Sequence, residues 1–390
     1  TVSPMTLIPA GLAIVAATYG LSRYTYGLFL PDIRADLGLS TEVMGMIGSG
    51  SYAGDLAATL FGSTISGVLG PRLPIVLGGL GAAVGMALMA LSHGPWLLAL
   101  DVILAGTSPG LAYPPLSDAV MRLITEPHQN RTYAVINSGT SVGVIISGPA
   151  ALLAGEAWRW AWAGFAVFAA LATLWNAALM PSGRHPASHA GEPPSLRWSW
   201  LVGPRSLRVF AAATLFGIGT AVYWTFAVDL IVRHGGMPDA WSRIFWIVIG
   251  VFGLIGGAAG DFTRTVGLRR TFRTALAGIS LAILGLTIWP GQIAVALGSA
   301  VVFGSTFIMI TGLFGIWSVN IFVERPSAGF GATFFLISAG QLIGPGLAGW
   351  IGRIGRLVAV VRLVFASVRR VRIASVVFRR IVRFEWLGPV

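Results

Sequence analysis

The fold of this chain can be read outward from one stretch, residues 19–32, whose sequence is YGLSRYTYGLFLPD. The stretch lies late in the first apolar segment and carries Arg23, the one charge in that segment that a bilayer would bury. An offset of 197 residues then finds identical residues in the second half of the chain. The identical pairs are Ala16 and Ala213, Gly20 and Gly217, Tyr26 and Tyr223, Phe29 and Phe226, Asp32 and Asp229, Gly70 and Gly267, and Arg72 and Arg269. The pattern indicates an internal repeat, in which the second half of the chain has the same plan as the first.

Composition places the chain in a lipid bilayer. Hydrophobic residues make up 55% of its 390 residues and charged residues only 10%, whereas soluble domains carry about 25% charged residues. Apolar runs of roughly 20 residues recur, which is the length of a helix that spans the hydrocarbon core. The alternating pattern of a spanning β-barrel is absent from the sequence. We therefore predict an all-α polytopic membrane protein.

Charge and cysteine content exclude several other classes of function. The net charge is +12, and all 26 basic residues are arginine. In a membrane protein this excess indicates cytoplasmic loops rather than a nucleic-acid partner. There is no cysteine, hence no disulfide and no thiolate metal site. Because the sequence also shows no clustered metal ligands and no catalytic pair, we expect no metal, no cofactor and no enzymatic activity.

Eleven spans are predicted, divided between two bundles. The first segment is long enough to be a span rather than a cleaved signal. We expect an N-terminal six-helix bundle over residues 1–180, a Pro-rich cytoplasmic linker over 181–205 and a C-terminal bundle over 206–352. The spans are residues 7–30, 43–69, 73–91, 96–124, 133–154, 158–180, 207–232, 244–262, 272–289, 293–323 and 330–351.

Residues 353–390 form an unusual tail. They contain nine arginines, and Arg362 interrupts the best apolar run, residues 357–368. An arginine at the centre of a span costs about 2.5–3.5 kcal/mol on insertion scales. The tail is interpreted either as a basic amphipathic helix on an anionic surface or as a degenerate twelfth span.

Arginine bias also predicts the orientation of the chain. A cytoplasmic N-terminus places twelve arginines in cytoplasmic loops and leaves only Arg34, Arg159, Arg233 and Arg243 in the outer loops through span 10. The tail is the one segment that disagrees. The expectation is a multi-pass protein of the bacterial inner membrane, cytoplasmic at its N-terminus and monomeric.

Six spans, a central linker and the 197-residue repeat resemble the major facilitator superfamily over residues 1 to about 352. Within it, residues 23–31 (RYTYGLFLP) and 113–115 (YPP) resemble the uncharacterised YbfB-like branch. The resemblance implies two six-helix pseudo-repeats related about the membrane normal.

The loop between spans 2 and 3 keeps part of that family's signature. Gly70 and Arg72 fit the pattern, and Gly267 and Arg269 repeat it in the second half, so we assign these four residues to a gating loop. Gly67 and Arg264 stand where the family has an acid, which puts the family's cytoplasmic charge lock in doubt.

Two glycine-proline motifs lie in spans 5 and 11, at residues 139–149 and 340–345. They resemble a motif common among antiporters of the family. Glycines four residues apart also allow helices to approach closely, so plain helix packing is the alternative interpretation.

Ionisable residues at membrane depth are functional candidates. With a rise of about 1.5 Å per residue, Arg23 lies roughly 12 Å, Asp101 about 8 Å and Asp55 about 18 Å from the outer surface. Either Asp55 or Asp101 could be the resting partner of Arg23 and carry protons. A structural role for Asp55 in bonding a neighbouring helix is the alternative.

The predicted substrate site surrounds Arg23. Tyr19 and Tyr26 share its helix face, and span 7 offers Tyr223 and Trp224. An arginine among phenol and indole groups suits a partly apolar, anionic or aromatic solute. Alternatively, Arg23 snorkels to the interface or closes an internal salt bridge. The polar residues Asn137 and Gln341 complete the predicted substrate-binding set.

These features together predict a secondary active transporter that moves a small organic solute by alternating access, coupled to protons. Whether it imports or exports is open at this stage. The alternative function is that of a degenerate transporter acting as a non-transporting membrane sensor or interaction protein, which the eroded loop acids and the basic tail favour.

Overall fold

The computed structural model describes residues 4–183, 203–258, 265–322 and 326–353, and these residues are almost entirely helical. Residues 184–202 of the predicted linker, which covers 181–205, and the tail from residue 354 onward lie outside the described residues. The α-helices are α1 Pro4–Val15, α2 Thr25–Leu28, α3 Leu30–Leu37, α4 Thr41–Leu69, α5 Arg72–Leu91, α6 Pro95–Leu123, α7 Glu126–Asn137, α8 Gly139–Ala154, α9 Trp158–Leu179, α10 Pro204–Arg233, α11 Asp239–Gly253, α12 Leu268–Ile288, α13 Ile293–Ile321 and α14 Pro326–Arg353.

Nine helices within the described residues are long and apolar enough to cross a membrane, and they coincide with predicted spans 3 to 11. The first two spans fall outside this set. Span 1 is divided among several helical segments, and the glycines, serines and Asp55 of α4 lower its mean hydropathy. Span 4 contains Pro109, Pro114 and Pro115 and is nevertheless one continuous helix, α6. The prediction of an all-α polytopic membrane protein is confirmed.

Span 1 departs from a regular α-helix at its most polar point. Between α1 and α2 the chain forms a π-helix over Ala16–Tyr24, with Tyr19 and Arg23 in it. The Thr25 hydroxyl donates to the carbonyl of Gly20 at 2.8 Å, five residues back, which fits the wider turn. π-Helical turns are uncommon and concentrate at functional sites. The residue pattern of span 1 does not predict this irregularity.

Close glycine contacts join span 1 to span 5 and span 7 to span 11. A Cβ on Gly20 would lie 2.5 Å from Cα of Gly143, and one on its repeat counterpart Gly217 would lie 2.1 Å from the carbonyl oxygen of Ile337. Gly340 lies equally close to the backbone of α10. The glycine motifs of spans 5 and 11 are therefore helix-packing surfaces. The antiporter interpretation of these motifs stays a prediction.

The two halves meet mainly through α4 with α14 and α8 with α11. A Cβ on Gly45 would lie 2.4 Å from the carbonyl oxygen of Pro345, and one on Gly250 would lie 2.9 Å from the amide nitrogen of Ile145. The Gly45 contact lies near the start of α4, the helix that follows α3. We call the end of the molecule that contains α3, the α8–α9 turn and the turn after α10 the α3 end.

Ion pairs link the two halves at the α3 end. Arg34 lies 3.0 Å from Asp229, and Arg243 lies 3.6 Å from Asp32. Asp32 and Asp229 are counterparts under the 197-residue offset. Each repeated acid is therefore paired with an arginine of the opposite half, so the pairs connect the two halves at this end.

Candidate functional site

Arg23 lies at the centre of the interface between the halves and is only 7% exposed. Its Nη1 lies 2.9 Å from Asp55 Oδ2, and its Nη2 donates to Gln341 Oε1 at 2.7 Å. Asp55 belongs to the first half and Gln341 to the second. Arg23 therefore closes an internal salt bridge, and it does not snorkel to the membrane surface.

Three tyrosine rings surround the Arg23 guanidinium. Its central carbon lies 5.4 Å from the ring centre of Tyr19, 5.6 Å from that of Tyr24 and 4.7 Å from that of Tyr52. The negative face of an aromatic ring attracts a cation, and this attraction is stronger away from water. The first half thus supplies one carboxylate and a phenolic lining for the buried charge.

The second half supplies an aromatic wall opposite Arg23. Trp224 stacks on Tyr24 with ring centres 4.3 Å apart, and its edge meets Phe303 and Phe307 at 5.3 and 5.4 Å. Stacked and edge-on ring pairs are the favoured aromatic geometries. The site therefore has a charged side and an apolar side, and each side belongs to a different half.

Two predicted site tyrosines form their hydrogen bonds with partners other than Arg23, although Tyr26 lines the cavity beside it. Tyr223 stacks on Phe303 at 3.8 Å and shares a hydrogen bond with Ser299 at 2.7 Å, both within the second half. Tyr26 donates to the carbonyl of Met44 at 3.3 Å. Neighbouring residues of a helix point about 100° apart, so Trp224 faces Arg23 while Tyr223 faces α13. A substrate-binding role for either tyrosine stays a prediction.

A second polar cluster continues from Tyr19 away from the α3 end. The Tyr19 ring lies 5.3 Å from the Tyr113 ring, which lies 5.4 Å from that of Tyr133. Tyr113 also donates to Asn137 Oδ1 at 2.8 Å. The predicted residue Asn137 is therefore connected to the Arg23 site through phenol groups rather than by direct contact.

Asp101 is buried in α6 and is 1% exposed. Among the described residues it forms no ion pair, and its Oδ2 has no hydrogen-bond partner. Of the two carboxylates proposed as the resting partner of Arg23, Asp55 occupies that position. The role of either carboxylate in proton coupling stays a prediction.

The predicted gating-loop glycines adopt the same backbone conformation in both halves. Gly70 and Gly267 each have φ of 88°, a region that favours glycine. Gly267 directly precedes α12, in which Arg269 is the second residue, and Gly70 is separated by Pro71 from α5, which begins at Arg72. The turn chemistry survives as expected, whereas its gating role stays a prediction.

The electrostatics of the α3 end favour a protonatable acid. Burial raises the pKa of Asp32 to about 6, Arg243 opposes the rise, and Asp239 and Glu156 add to it. The ion pair between Arg159 and Asp36, at 2.5 Å, lies at the same end. The predicted outer arginines are thus paired locally or across the halves.

Sequence reasoning missed several residues of the site. Tyr24 lies beside Arg23 in the opening stretch, and Tyr52 precedes Asp55 by three residues on α4, so helical spacing could have identified both. Phe303 and Phe307, four residues apart on α13, look in the sequence like ordinary residues of an apolar span. Only the three-dimensional structure brings them to Trp224.

Known proteins resemble this chain in sequence and in fold. A family model described as Major Facilitator Superfamily matches residues 12–345. The chloramphenicol resistance protein of Streptomyces lividans is 26% identical over 253 residues, which is 63% of each chain. The multidrug resistance protein MdtH of Yersinia pestis (strain Pestoides F) is 37% identical over 131 residues, which is 32% of this chain and 31% of MdtH. The matches thus span less than two thirds of the length of these relatives.

A solved structure shares the fold. The crystal structure of a mutant of the nucleoside transporter NupG superposes with a TM-score of 0.71, at 13% sequence identity, over 92% of this chain and 99% of that one. The family model covers most of the chain and includes Arg23, Asp55 and Gln341. The chain therefore belongs to the major facilitator superfamily and is a multi-pass membrane protein.

Proposed function

We propose that this protein is a secondary active transporter that moves a small organic solute by alternating access, with proton coupling through Asp55. The observation that carries the proposal is the buried pair of Arg23 and Asp55 at the interface of the halves. Buried charges at membrane depth are costly and mark substrate or ion pathways. Membership of the family supports a function in membrane transport, and the buried pair of Arg23 and Asp55 is the candidate site for it.

The central step is an exchange of the charge that balances Arg23. In the resting site Asp55 is that counter-charge, and Gln341 reaches Arg23 from the second half. A solute anion that binds Arg23 takes over this role. An unpaired carboxylate buried away from water is costly in its charged form, so Asp55 then takes up a proton. Solute occupancy and protonation of Asp55 are thereby coupled.

The closed α3 end fits one state of an alternating cycle. Its cross-half ion pairs and glycine contacts seal one side of the central site. Arginine bias assigns this end to the outside, with the N-terminus in the cytoplasm of a bacterial cell and the inner membrane as the location. We further propose a monomer of two six-helix halves, residues 1–180 and 206–352, in which rocking of the halves exposes Arg23 alternately to either side.

Flux measurements in proteoliposomes test this proposal. A thermal-shift screen of the purified protein against a metabolite library first identifies a solute, because a ligand that binds the folded state raises its stability. Uptake of the radiolabelled solute is then driven by a pH gradient. We expect Arg23→Gln to abolish uptake, and Arg23→Lys to recover little, because an ammonium cannot make a two-pronged contact.

The repeat supplies a matched control. Thr220 is the counterpart of Arg23 in the second half and donates only to the helix backbone, at 2.7 Å from the Phe216 carbonyl oxygen. Thr220→Val should transport nearly normally. Normal uptake by a folded Arg23→Gln protein would refute the proposed role of Arg23. Absence of any flux in the wild-type protein, despite ligand binding, would favour the non-transporting sensor instead.

A further inference from the structure

A small cavity lies beside Arg23, between the two halves. It has room for about one water molecule. Arg23, Tyr24 and Tyr52 line it from the first half, and Trp224 and Thr225 line it from the second. Rocking of the halves would enlarge this cavity, because its walls belong to different halves.

Three lining residues, Arg23, Ser51 and Trp224, keep an unused hydrogen-bond donor. Arg23 Nε and Trp224 Nε1 are buried and have no hydrogen-bond partner among the described residues. The other two nitrogens of Arg23 already contact Asp55 and Gln341. The unused groups of Arg23 and Trp224 only donate, whereas the Ser51 hydroxyl can donate or accept. Leaving such donors unpaired is unfavourable, so the cavity suits a group that accepts hydrogen bonds.

The form of the donors selects a carboxylate. A guanidinium offers Nε and a neighbouring Nη as a parallel pair of donors, which matches the two oxygens of a carboxylate. Asp55 can therefore stay beside Nη1 while a second carboxylate approaches the Nε edge. The stacked rings of Tyr24 and Trp224 adjoin this edge and suit a flat aromatic body.

Charge balance then fixes the protonation of the occupied site. Arg23 carries one positive charge, and Asp55 balances it in the empty site. A bound carboxylate would leave one excess negative charge in a buried space, which is strongly unfavourable. One proton on Asp55 restores neutrality, and no covalent bond other than this O–H bond forms.

We propose that the solute is a small aromatic monocarboxylate whose carboxylate binds the Nε edge of Arg23 and the indole N–H of Trp224, and so bridges the two halves. This inference rests on the proposed transport function. It assigns Trp224 as a specificity-determining residue, and it makes solute and proton enter the site together.

Binding of defined probes tests the inference. Isothermal titration of the detergent-purified protein at pH 6 compares benzoate and 2-naphthoate with their neutral amides, benzamide and 2-naphthamide. We expect the acids to bind and the amides to bind at least about tenfold more weakly, since a hydrogen bond to a charged group contributes about 1.5–3 kcal/mol. Acid binding should be accompanied by uptake of one proton, which repetition in buffers of different ionisation enthalpy measures.

Two matched variants isolate the indole N–H. Trp224→Phe keeps a ring for stacking on Tyr24 but removes the indole N–H together with one of the two fused rings, and it should weaken binding of the acids about tenfold while hardly affecting the amides. Trp162→Phe is the control, because Trp162 Nε1 is also buried without a partner but does not line the cavity. It should bind the acids as the wild-type protein does.

Three results would overturn the inference. The first is failure of the wild-type protein to bind either acid, and the second is equal affinity for the acids and the amides. The third is unchanged acid binding in Trp224→Phe, which would mean that the cavity holds water only. Failure of the transport proposal is distinguishable. If a solute from the screen shows Arg23-dependent flux that neither acid inhibits, transport stands and the monocarboxylate assignment falls.

Discussion

The two halves of this protein share a backbone plan and differ in what they place at its centre. Arg23, Asp55 and Tyr24 of the first half have Thr220, Phe252 and Ala221 as their counterparts under the 197-residue offset. Six of the seven tyrosines lie in the first half, whereas the second half faces the site with Trp224 and phenylalanines. The first half thus supplies the charged and phenolic groups of the site, and the second half supplies its apolar aromatic wall.

This asymmetry separates two tasks that one site must perform. A buried ion pair requires precise geometry, since either charge left alone is strongly destabilising. Aromatic contacts depend less on exact position and tolerate small shifts of one half against the other. Placing both charges in one half keeps the pair intact while the halves move, and only Gln341 and Trp224 need to change partners.

The largest expected effect on stability comes from removing one charge of the buried ion pair in the first half. Asp55→Ala leaves Arg23 buried without a counter-charge, and we expect a loss of about 3–5 kcal/mol in the free energy of unfolding. Phe307→Leu in the aromatic wall should lose less than about 1.5 kcal/mol, because it exchanges one apolar side chain for another. Thermal unfolding in detergent, followed by intrinsic fluorescence, measures both.

A double variant sharpens this result. Arg23→Gln combined with Asp55→Asn removes both charges and should be more stable than Asp55→Ala alone. Equal losses of unfolding free energy for Asp55→Ala and Phe307→Leu would contradict the division of the site into a charged half and an apolar half.

The next effect concerns the contact of the two halves at a repeat-related pair. Gly27 and Trp224 are counterparts under the offset, and a Cβ on Gly27 would lie 1.8 Å from the Trp224 carbonyl oxygen. Gly27→Ala should therefore force the halves apart at the α3 end, at a cost of about 1–3 kcal/mol to the closed state. Gly164→Ala, with nothing within 4 Å of its Cβ, is the control.

Distance measurements between spin labels detect this opening. The chain has no cysteine, so Leu153→Cys and His234→Cys place one label on each half at the α3 end. We expect a longer distance in Gly27→Ala and an unchanged one in Gly164→Ala. An unchanged distance in Gly27→Ala would show that the two halves do not meet there in the membrane.

The smallest effect is a pH dependence at the α3 end. The pKa of Asp32 is raised to about 6 in the closed state, and it falls toward its usual value of about 4 when opening exposes the side chain to water. The closed state therefore binds the proton more tightly, so lowering the pH from about 7 to 5 should favour closure.

The same label pair tests this pH dependence, and replacing His234 with a labelled cysteine also removes one titratable group. Asp32→Asn, which mimics the protonated form, should lose the pH dependence of the distance. If the pH response of the distance survives in Asp32→Asn, another titratable group causes it. Asp229, the repeat counterpart of Asp32, is then the first candidate.

Much of the architecture could be predicted from the sequence because it depends on local properties. Apolar length predicts spans 3 to 11, and the recurrence of Gly70 at Gly267 predicts two equal turns, both observed at φ 88°. The site could be predicted only in outline. Hydropathy identifies Arg23 as a buried charge that needs a partner, but it gives no rotation of one helix against another.

The sequence by itself determined that this is a helical membrane protein built from a repeated half, with one buried arginine in its first span. Only the tertiary structure decided that Asp55 rather than Asp101 pairs with Arg23, that Gln341 reaches it from the second half, and that Trp224 rather than Tyr223 faces it. The physical reason is that burial and turn conformation follow from neighbouring residues. Which side chains contact each other depends instead on how closely the helices approach and how each helix is rotated. Glycine contacts between distant spans set both the approach and the rotation.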